Sequence, residues 1–383
     1  MMQRFQSKLP NVGTTIFTVM TRLAEQHQAI NLSQGFPEFD PPRDLLDRVA
    51  YYLHTSCHQY PPMAGAVRLR AAIADTLEDV YAVRRNPETE ITVTSGATEA
   101  LFCAIQAVVR SGDEVVVFDP CYDSYEPSVT LAGGRAAHVP LSLPSFSIDW
   151  DRLRGRLNAR TRLVIINSPH NPSGALIGEA DLDRLAELLR PYDCYVLSDE
   201  VYEHVIFDGQ RHATVLAHPE LAQRSFAVFS FGKTYHATGW KLGYCVAPGP
   251  LTEELRRVHQ YVTFASTGPL QYALADYLTE HPEHHRSLPA FYAQKRDHFA
   301  GLLGGTRFAI VPARGTYFQL GDYGAISDLP DVEFAHWLTV EHGVAVIPIS
   351  VFYQQPPDSR LVRFCFAKQP ATLDEAARRL GAL

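Results

Sequence analysis

The sequence lacks the features that mark several large classes of protein. Its 383 residues contain no Lys/Arg-rich block and carry a formal net charge of -8, so a nucleic-acid-binding surface is not expected. No uninterrupted apolar run approaches the roughly 20 residues that a membrane-spanning helix needs. The N-terminal stretch MMQRFQSKLPNVG has no apolar core of the kind found in signal peptides. These absences predict a cytoplasmic protein that binds neither nucleic acid nor membrane.

Paired cysteines and metal-binding spacings are also missing. The six cysteines form no CxxC pair, and four of them lie in apolar runs, which predicts reduced core residues in a reducing compartment: Cys103, Cys194, Cys245 and Cys365. The cluster HPEHH at 281–285 fits no zinc spacing, and its proline disrupts a helix. We therefore expect a solvated loop there and no metal site.

The middle of the chain has the pattern of an α/β fold. Hydrophobic residues make up 46% of the chain and charged residues 20%, which is typical of a globular protein with a sizeable core. Short β-branched runs alternate there with segments of helical period, such as EALFCAIQAVVRSG and EADLDRLAELLR. The runs are ITVTS (91–95), EVVVFD (114–119), RLVIIN (162–167), YVLSDE (195–200) and SFAVFS (225–230). This alternation predicts a mainly parallel sheet covered on both faces.

The pattern changes after about residue 280, where helical segments mix with separate strands such as RFAIVP, TYFQLGDY and LVRFCFA. We therefore predict a large domain over residues 41–280 and a smaller α+β domain over 281–383. The first 40 residues are too few to fold alone and are expected to pack with the small domain.

Polar residues follow the predicted strands at the positions where a parallel sheet binds ligands, outside the carboxyl ends. They are Gly96-Ala97-Thr98, Tyr122, Asn171, Asp199 with Tyr202, and Ser230 with Lys233. Leaving a carboxylate or an amine buried and unpaired costs roughly 3–5 kcal/mol. Asp199 and Lys233 are therefore expected to face a common ligand.

Pyridoxal phosphate would use all of these groups. Its aldehyde needs an amine, for which Lys233 is the candidate, and a carboxylate such as Asp199 would keep the ring nitrogen protonated. Asn171 and Tyr202 can donate hydrogen bonds to the 3′-oxygen, and Tyr122 can stack on the ring.

The phosphate of that cofactor has its own candidate ligands. Backbone N–H groups at Gly96-Ala97-Thr98 would open a helix, and helix N-termini bind anions. Ser230 and Lys241 could add a hydroxyl and a positive charge.

Several motifs together resemble those of the class I aminotransferases, which are fold-type-I pyridoxal-phosphate enzymes. The resemblance runs from about residue 31 to 368 and rests on SQGFPEFDPP, QYPPMAG, SGATEA, NSPHNPSG, LSDEVY, SFGKTYHATGWKLGY and VRFCFAK, which stand in the family's order. It implies a large domain with a mainly parallel seven-stranded sheet. Among subgroups, the chain is most similar to the bacterial methionine aminotransferases and, more distantly, to the kynurenine aminotransferases.

The resemblance implies further roles for individual residues. It makes Lys233, Asp199 and Tyr202 the catalytic residues, with Lys233 moving the proton as well as binding the cofactor. Arg363 would grip the substrate's α-carboxylate. Gly35 and Asn171 would assist in binding the substrate.

A homodimer is likewise implied by the resemblance alone. Tyr60 would reach the cofactor phosphate of the neighbouring subunit. Four aromatic residues match positions that line the side-chain pocket in relatives, namely Phe17, Tyr122, Phe264 and Phe352. Kynurenine-specialised relatives carry a histidine where this chain has Ala265, which argues against a preference for kynurenine.

The resulting hypothesis is an aminotransferase that moves the amino group of an apolar or aromatic L-amino acid, methionine first among them, to a 2-oxo acid by a ping-pong mechanism. Kynurenine transamination and β-elimination from cysteine conjugates are alternatives, because the cofactor-binding residues do not distinguish these reactions. A non-catalytic amino-acid sensor is the alternative of another class. Such sensors carry an added DNA-binding domain, for which we expect no room here, and the presence of both Lys233 and Arg363 favours catalysis.

Overall fold

The computed structural model describes residues 6–55 and 57–383. Its strands, in chain order, are β1 (Ile30–Asn31), β2 (Ile91–Thr94), β3 (Glu114–Asp119), β4 (Arg135–Pro140), β5 (Thr161–Asn167), β6 (Tyr195–Asp199), β7 (Ser225–Ser230), β8 (Gly243–Val246), β9 (Ala309–Ile310), β10 (Phe318–Asp322), β11 (Val344–Ala345), β12 (Ile347–Pro348) and β13 (Leu361–Cys365).

The helices, in the same order, are α1 (Ile16–Gln26), α2 (Arg43–Leu53), α3 (Val67–Tyr81), α4 (Ala97–Val108), α5 (Tyr125–Leu131), α6 (Trp150–Arg156), α7 (Glu179–Leu189), α8 (Phe231–Thr234), α9 (Gly249–Val262), α10 (Gly268–Glu280), α11 (His284–Leu303), α12 (Asp331–His342) and α13 (Pro370–Leu380).

Seven strands form the central sheet, in the order β2-β8-β7-β6-β5-β3-β4. Only β8 runs against its neighbours, pairing antiparallel with both β2 and β7. The carboxyl ends of the other six strands therefore share one edge of the sheet, and the first residue of β8 lies at that same edge. Nearly every residue of β2, β3, β5, β6 and β7 is buried, as the continuous apolar runs predict.

Helices cover both faces of this sheet. One core includes side chains of α2, α3, α7 and α10, such as Leu69 and Leu185, packed against Val116 and Val164. The other includes side chains of α4, α5 and α9 packed against the alternate residues of the same strands. The predicted α/β class, with a mainly parallel seven-stranded sheet, is confirmed.

A separate core lies among α1, α11, α12 and α13. It covers an antiparallel sheet of order β12-β13-β10-β9 and a parallel pair of β1 with β11. Because β1 pairs with β11 and α1 packs in this core, the geometry supports assigning the first 40 residues to the small domain. The boundaries near residues 40 and 280 stay predictions.

The expectation of a solvated loop at 281–285 is wrong in part. His284 and His285 begin α11, and His285 is buried. His284 stacks on Tyr235, and its Nε2 lies 3.0 Å from the carbonyl oxygen of Thr234. The proline at 282 precedes the helix, so it interrupts none of its hydrogen bonds. Within the described ranges, no helix is both long and apolar enough to cross a bilayer.

Candidate active site

The carboxyl edge of the central sheet forms one wall of a cavity of about 290 Å³. The cavity lies there because six strands end at this edge. Most of the predicted site residues line it: Phe17, Gly35, Gly96, Ala97, Thr98, Tyr122, Asn171, Asp199, Tyr202, Ser230, Lys233, Lys241 and Arg363. The parallel arrangement thus brings together residues that are spread over more than 340 positions of the chain.

Lys233 enters the cavity from the short helix α8, directly after β7. Its Nζ lies 3.4 Å from the carbonyl oxygen of Gly35 and 5.5 Å from the centre of the Tyr202 ring. Removal from bulk water lowers the pKa of the Lys233 ammonium to about 8, and the positive charges of Lys241 and Arg363 act in the same direction. A substantial fraction of this amine is therefore neutral and nucleophilic near neutral pH.

Asp199 is the last residue of β6. One of its carboxyl oxygens accepts a hydrogen bond within the chain, and the other does not. Its Oδ2 accepts a hydrogen bond of 2.6 Å from the hydroxyl of Tyr125. Its Oδ1 is buried and has no hydrogen-bond partner among the described residues. Burial raises the pKa of the Asp199 carboxyl to about 6, against the opposing effect of the Tyr125 hydrogen bond. Such a group calls for a donor from a ligand.

Arg363 reaches the cavity from β13 of the second core. Its Nη1 donates to Asn171 Oδ1 at 2.8 Å, and its Nη2 donates to the carbonyl oxygen of Ser33 at 2.7 Å. Its guanidinium lies 3.9 Å from the centre of the Phe318 ring. Burial lowers the pKa of Arg363, which indicates an incompletely neutralised positive charge suited to an anionic ligand.

An anion-binding cradle lies at the N-terminus of α4. Gly96 precedes this helix with φ of +82°, a conformation that favours glycine. A Cβ added at Gly96 would lie 3.4 Å from Lys241 Cε, so the lysine side chain borders the turn. Lys241 lies there because it stands two residues before β8, and this antiparallel strand begins at the same edge of the sheet. Gly243 allows the close approach, since a Cβ there would lie 2.8 Å from the backbone nitrogen of Ala97.

Three predicted residues do not line the cavity of this single chain. Phe352 is buried behind Phe17, with ring centres 5.8 Å apart. Tyr60 is 83% exposed and packs edge-on against the exposed Phe264. A role for Tyr60 in a neighbouring subunit stays a prediction.

Several residues that complete the site were not predicted from the sequence. Asn167 lines the cavity, holds the backbone N–H of Asn171 through its Oδ1 at 2.9 Å, and donates to the carbonyl of Asp199. It is the last residue of a predicted strand, so its position could have revealed it. Phe318, and Tyr125 that donates to Asp199, could not be distinguished in the sequence from aromatic residues of the core.

Comparison with known proteins identifies the family. A profile of the class I and II aminotransferases matches residues 27–380. The chain belongs to this family. The methionine aminotransferase of Escherichia coli (strain K12) is 54% identical to it over 378 residues, which cover 99% of this chain and 98% of that protein.

Two further comparisons extend this result. A crystal structure from Escherichia coli, described as identifying a methionine aminotransferase function, superposes with a TM-score of 0.97 at 54% identity and full coverage of both chains. The human kynurenine–oxoglutarate transaminase 3 is 33% identical over 401 residues, which cover 96% of this chain and 88% of that protein. The predicted family, enzyme class and cofactor are confirmed: this aminotransferase is a pyridoxal-phosphate-dependent transaminase.

The groups around the cavity fit that cofactor. A free, buried Asp199 Oδ1 suits a protonated ring nitrogen, and a partly neutral Lys233 suits an aldehyde. The N-terminus of α4 with Lys241 beside it suits a phosphate. Membership of this enzyme family argues against the alternative of a non-catalytic amino-acid sensor.

Proposed function

We propose that this aminotransferase takes the amino group of methionine, or of another apolar or aromatic L-amino acid, and transfers it to a 2-oxo acid by a ping-pong mechanism. The observation that carries the proposal is the 54% identity to the Escherichia coli methionine aminotransferase over nearly the full length of both chains. The kynurenine transaminases are more distant, at 31–33% identity.

The composition of the cavity supports an apolar donor. Phe17 and Phe318 face it, and the guanidinium carbon of Arg363 lies 5.3 and 3.9 Å from the centres of their rings. Lys241 borders Gly96 at the anion cradle. Of the lining residues described for one chain, Arg363 is the single arginine, so a carboxylate on the substrate's side chain would find no arginine of its own. This favours a thioether or aromatic side chain over that of aspartate.

The bound cofactor supplies an aldehyde that takes up the amino group and an electron-withdrawing ring that acidifies the substrate's Cα–H. Asp199 Oδ1 would hold the proton on the ring nitrogen, and Tyr125 would fix the orientation of that carboxylate. Asn171 and Tyr202 would donate to the 3′-oxygen, with Tyr122 against the ring. Arg363 would hold the α-carboxylate.

Lys233 has two tasks in this proposal. Its Nζ would hold the cofactor's aldehyde when no substrate is present, and once released it would move a proton between the substrate's Cα and the cofactor. A lysine whose pKa is about 8 is suited to both, because neither its protonated nor its neutral form is scarce near neutral pH.

The cradle residues would bind the phosphate. Gly96, Ala97 and Thr98 would present N–H groups, and Ser230 and Lys241 would add a hydroxyl and a charge. The backbone N–H groups at the start of α4 are not used by the helix itself and are therefore available to an anion.

A panel of amino donors tests the substrate class. Methionine, phenylalanine, tyrosine, leucine, kynurenine and aspartate would each be assayed against two or three 2-oxo acids, with products identified by mass spectrometry. We expect methionine to have the highest kcat/KM and aspartate the lowest. Kynurenine in first place, or release of pyruvate and ammonia from a cysteine conjugate at a higher rate, would favour the respective alternative instead.

We further propose a homodimer in which Tyr60 reaches the phosphate bound by the partner. The exposure of Tyr60 and of its neighbours Phe264 and Tyr261, which is 87% exposed, supports a covered aromatic surface. In a mixture of Lys233→Ala and Tyr60→Ala proteins, one site of each mixed dimer would contain both native residues. Activity should then exceed that of either variant alone; no recovery after subunit exchange would contradict the shared site. A cytoplasmic location stays a prediction.

A further inference from the structure

A buried pair of ionisable residues lies directly behind the anion cradle and has no part in the site described so far. His259 of α9 is fully buried, and Glu99 in the first turn of α4 is 8% exposed. His259 Nδ1 lies 2.6 Å from Glu99 Oε1, and its Nε2 lies 2.9 Å from the carbonyl oxygen of Met63. The other oxygen of Glu99 accepts a hydrogen bond from the backbone N–H of Ser95.

The partners of this imidazole determine its charge. A carbonyl oxygen can only accept, so Nε2 carries a proton. Burial works to raise the pKa of the Glu99 carboxyl, but His259 and the Ser95 N–H outweigh it and hold that pKa below its usual value. Glu99 is therefore a carboxylate, and Nδ1 must also donate. A ring that donates through both nitrogens is an imidazolium, and it has no lone pair for a metal, although the nearby thiol of Cys103 would complete a ligand set.

The pair connects the cradle to a second part of the molecule. Through Ser95 and Glu99 it holds the turn that opens α4. Through Met63 it holds the loop that carries Tyr60. His259 contacts Met63 directly and reaches the turn through Glu99.

A second set of hydrogen bonds braces the same turn. The Ser95 hydroxyl lies 3.0 Å from that of Ser266, whose carbonyl accepts from Gln271 Nε2 at 2.8 Å. Gln271 Oε1 accepts from the backbone N–H of Ala66 at 2.7 Å, and Gln271 is fully buried. The turn before α4 is thus tied to Ser266 as well as to the pair of Glu99 and His259.

The charge of Glu99 matters for anion binding, in addition to the rigidity that the pair gives to the turn. A carboxylate in the first turn of a helix repels an anion bound at the same N-terminus. We propose that His259, by neutralising Glu99 and holding the turn, is a positioning residue for the cofactor's phosphate. This inference rests on the proposed cradle at Gly96-Ala97-Thr98 and Lys241, and it adds a residue that does not touch the cofactor.

The test compares two probes that differ only in the phosphate. Dissociation constants for pyridoxal phosphate and for pyridoxal, each with the same aldehyde, would be measured by fluorescence titration of the cofactor-free protein. In His259→Gln we expect the preference for the phosphorylated probe to fall about tenfold, equivalent to about 1.4 kcal/mol. Adding Glu99→Gln to that variant should restore the preference to within about threefold, since the uncompensated charge is gone. Equal weakening of both probes would reduce the role to general stability and overturn the proposal.

Two controls separate the possible failures. Lys241→Gln, which removes a charge from the cradle itself, should also lower the preference for the phosphorylated probe. If it does and His259→Gln does not, the positioning role is wrong; if neither does, the cradle assignment is wrong as well. Asp276→Asn removes another buried acid, which accepts a hydrogen bond of 2.7 Å from Tyr52 and does not line the cavity, and it should affect both probes alike.

A measurement on the native holoenzyme does not depend on how the variants fold. The native protein would be prepared with nitrogen-labelled histidine for NMR spectroscopy. The ring resonances of His259 are those that disappear in any folded variant substituted at that position, and they report the protonation of its two ring nitrogens. Two protonated ring nitrogens near neutral pH are expected. A neutral ring would contradict the ion pair on which the inference depends.

Discussion

Two adjacent buried carboxyl groups at the end of β6 have opposite environments. Asp199 leaves Oδ1 without a described partner and turns it toward the cavity. Glu200 uses both oxygens within the protein: Oε1 accepts from the Ser198 hydroxyl at 2.8 Å, and Oε2 lies 2.6 Å from His212 Nε2. The comparison shows that burial alone does not mark a functional acid. The unsatisfied oxygen facing a cavity does.

The same contrast separates the cationic groups of the cavity from a buried acid outside it. Lys233 and Arg363 face the cavity, and Arg363 Nε has no hydrogen-bond partner among the described residues. Glu203 instead is enclosed between the hydroxyls of Tyr81 and Tyr244, and burial raises the pKa of its carboxyl to about 8. Groups of the first kind should control activity, and groups of the second kind should control stability.

The largest effect should follow removal of the cavity amine. Lys233→Ala should lower turnover at least about a thousandfold, because both the aldehyde partner and the proton-transferring group are lost. The cofactor's visible absorbance should change at the same time. Lys295→Ala is the matched control, since Lys295 is bound to the carbonyl of Lys368 and lies outside the cavity; it should retain both properties. Near-normal transamination by the Lys233 variant would break the assignment.

The comparison of Asp199 with Glu200 can be tested directly. Asp199→Asn should lower kcat about a hundredfold or more, because an amide cannot hold the ring nitrogen's proton. Glu200→Gln should instead lower the free energy of unfolding by about 1–3 kcal/mol while kcat changes little. Steady-state kinetics and urea denaturation of both variants measure this. A larger loss of kcat in the Glu200 variant would invert the comparison.

Arg363→Ala should weaken binding of every amino donor, by about 2–5 kcal/mol if the full contact with the α-carboxylate is lost. The measurement is KM, together with inhibition constants for carboxylic acids. Arg296, which is 6% exposed and pairs with Asp208 at 2.7 Å, provides the control. Arg296→Ala should reduce stability and leave KM near its native value. An unchanged KM in the Arg363 variant would refute the proposed role.

The last effect concerns the pH dependence of stability and not catalysis. The folded-state pKa of Glu203 lies above its ordinary value of 4.5, so between about pH 4.5 and 8 the folded protein binds more protons than the unfolded chain. The contribution of Glu203 to stability therefore falls as pH rises through that range. Glu203→Gln, which stays neutral, should lose less stability than the native protein between about pH 5 and 8 in denaturation experiments. If the free energy of unfolding changed with pH in the same way in both proteins, the pKa of Glu203 would not be raised in the folded state.

Much of the large domain was predictable from local patterns. The run EVVVFD predicts β3 to the residue, and EADLDRLAELLR predicts α7 to within one residue. Since parallel strands end at a common edge, the residues that follow each predicted strand could be assigned to one site from the sequence. Arg363 could be assigned through the resemblance alone, because it enters from the other core.

Other features had no local signal. The run GYCV could not be recognised as the antiparallel strand β8, although its direction is what brings Lys241 to the cradle. His284 and His285 follow a proline that suggested a loop, yet both begin α11, where His284 stacks on Tyr235 and His285 packs against His204. In each case tertiary contacts outweighed the local preference.

Short-range periodicity and residue type were enough to predict most strands and helices of the large domain, the chemistry at the strand ends and the lysine that serves the cofactor. Packing between remote elements settled which buried acid stays open to a ligand, which aromatic ring covers Arg363, and that His259 pairs with Glu99 from 160 positions away. Those outcomes depend on distances between elements that are remote in the chain, and no local pattern encodes such distances.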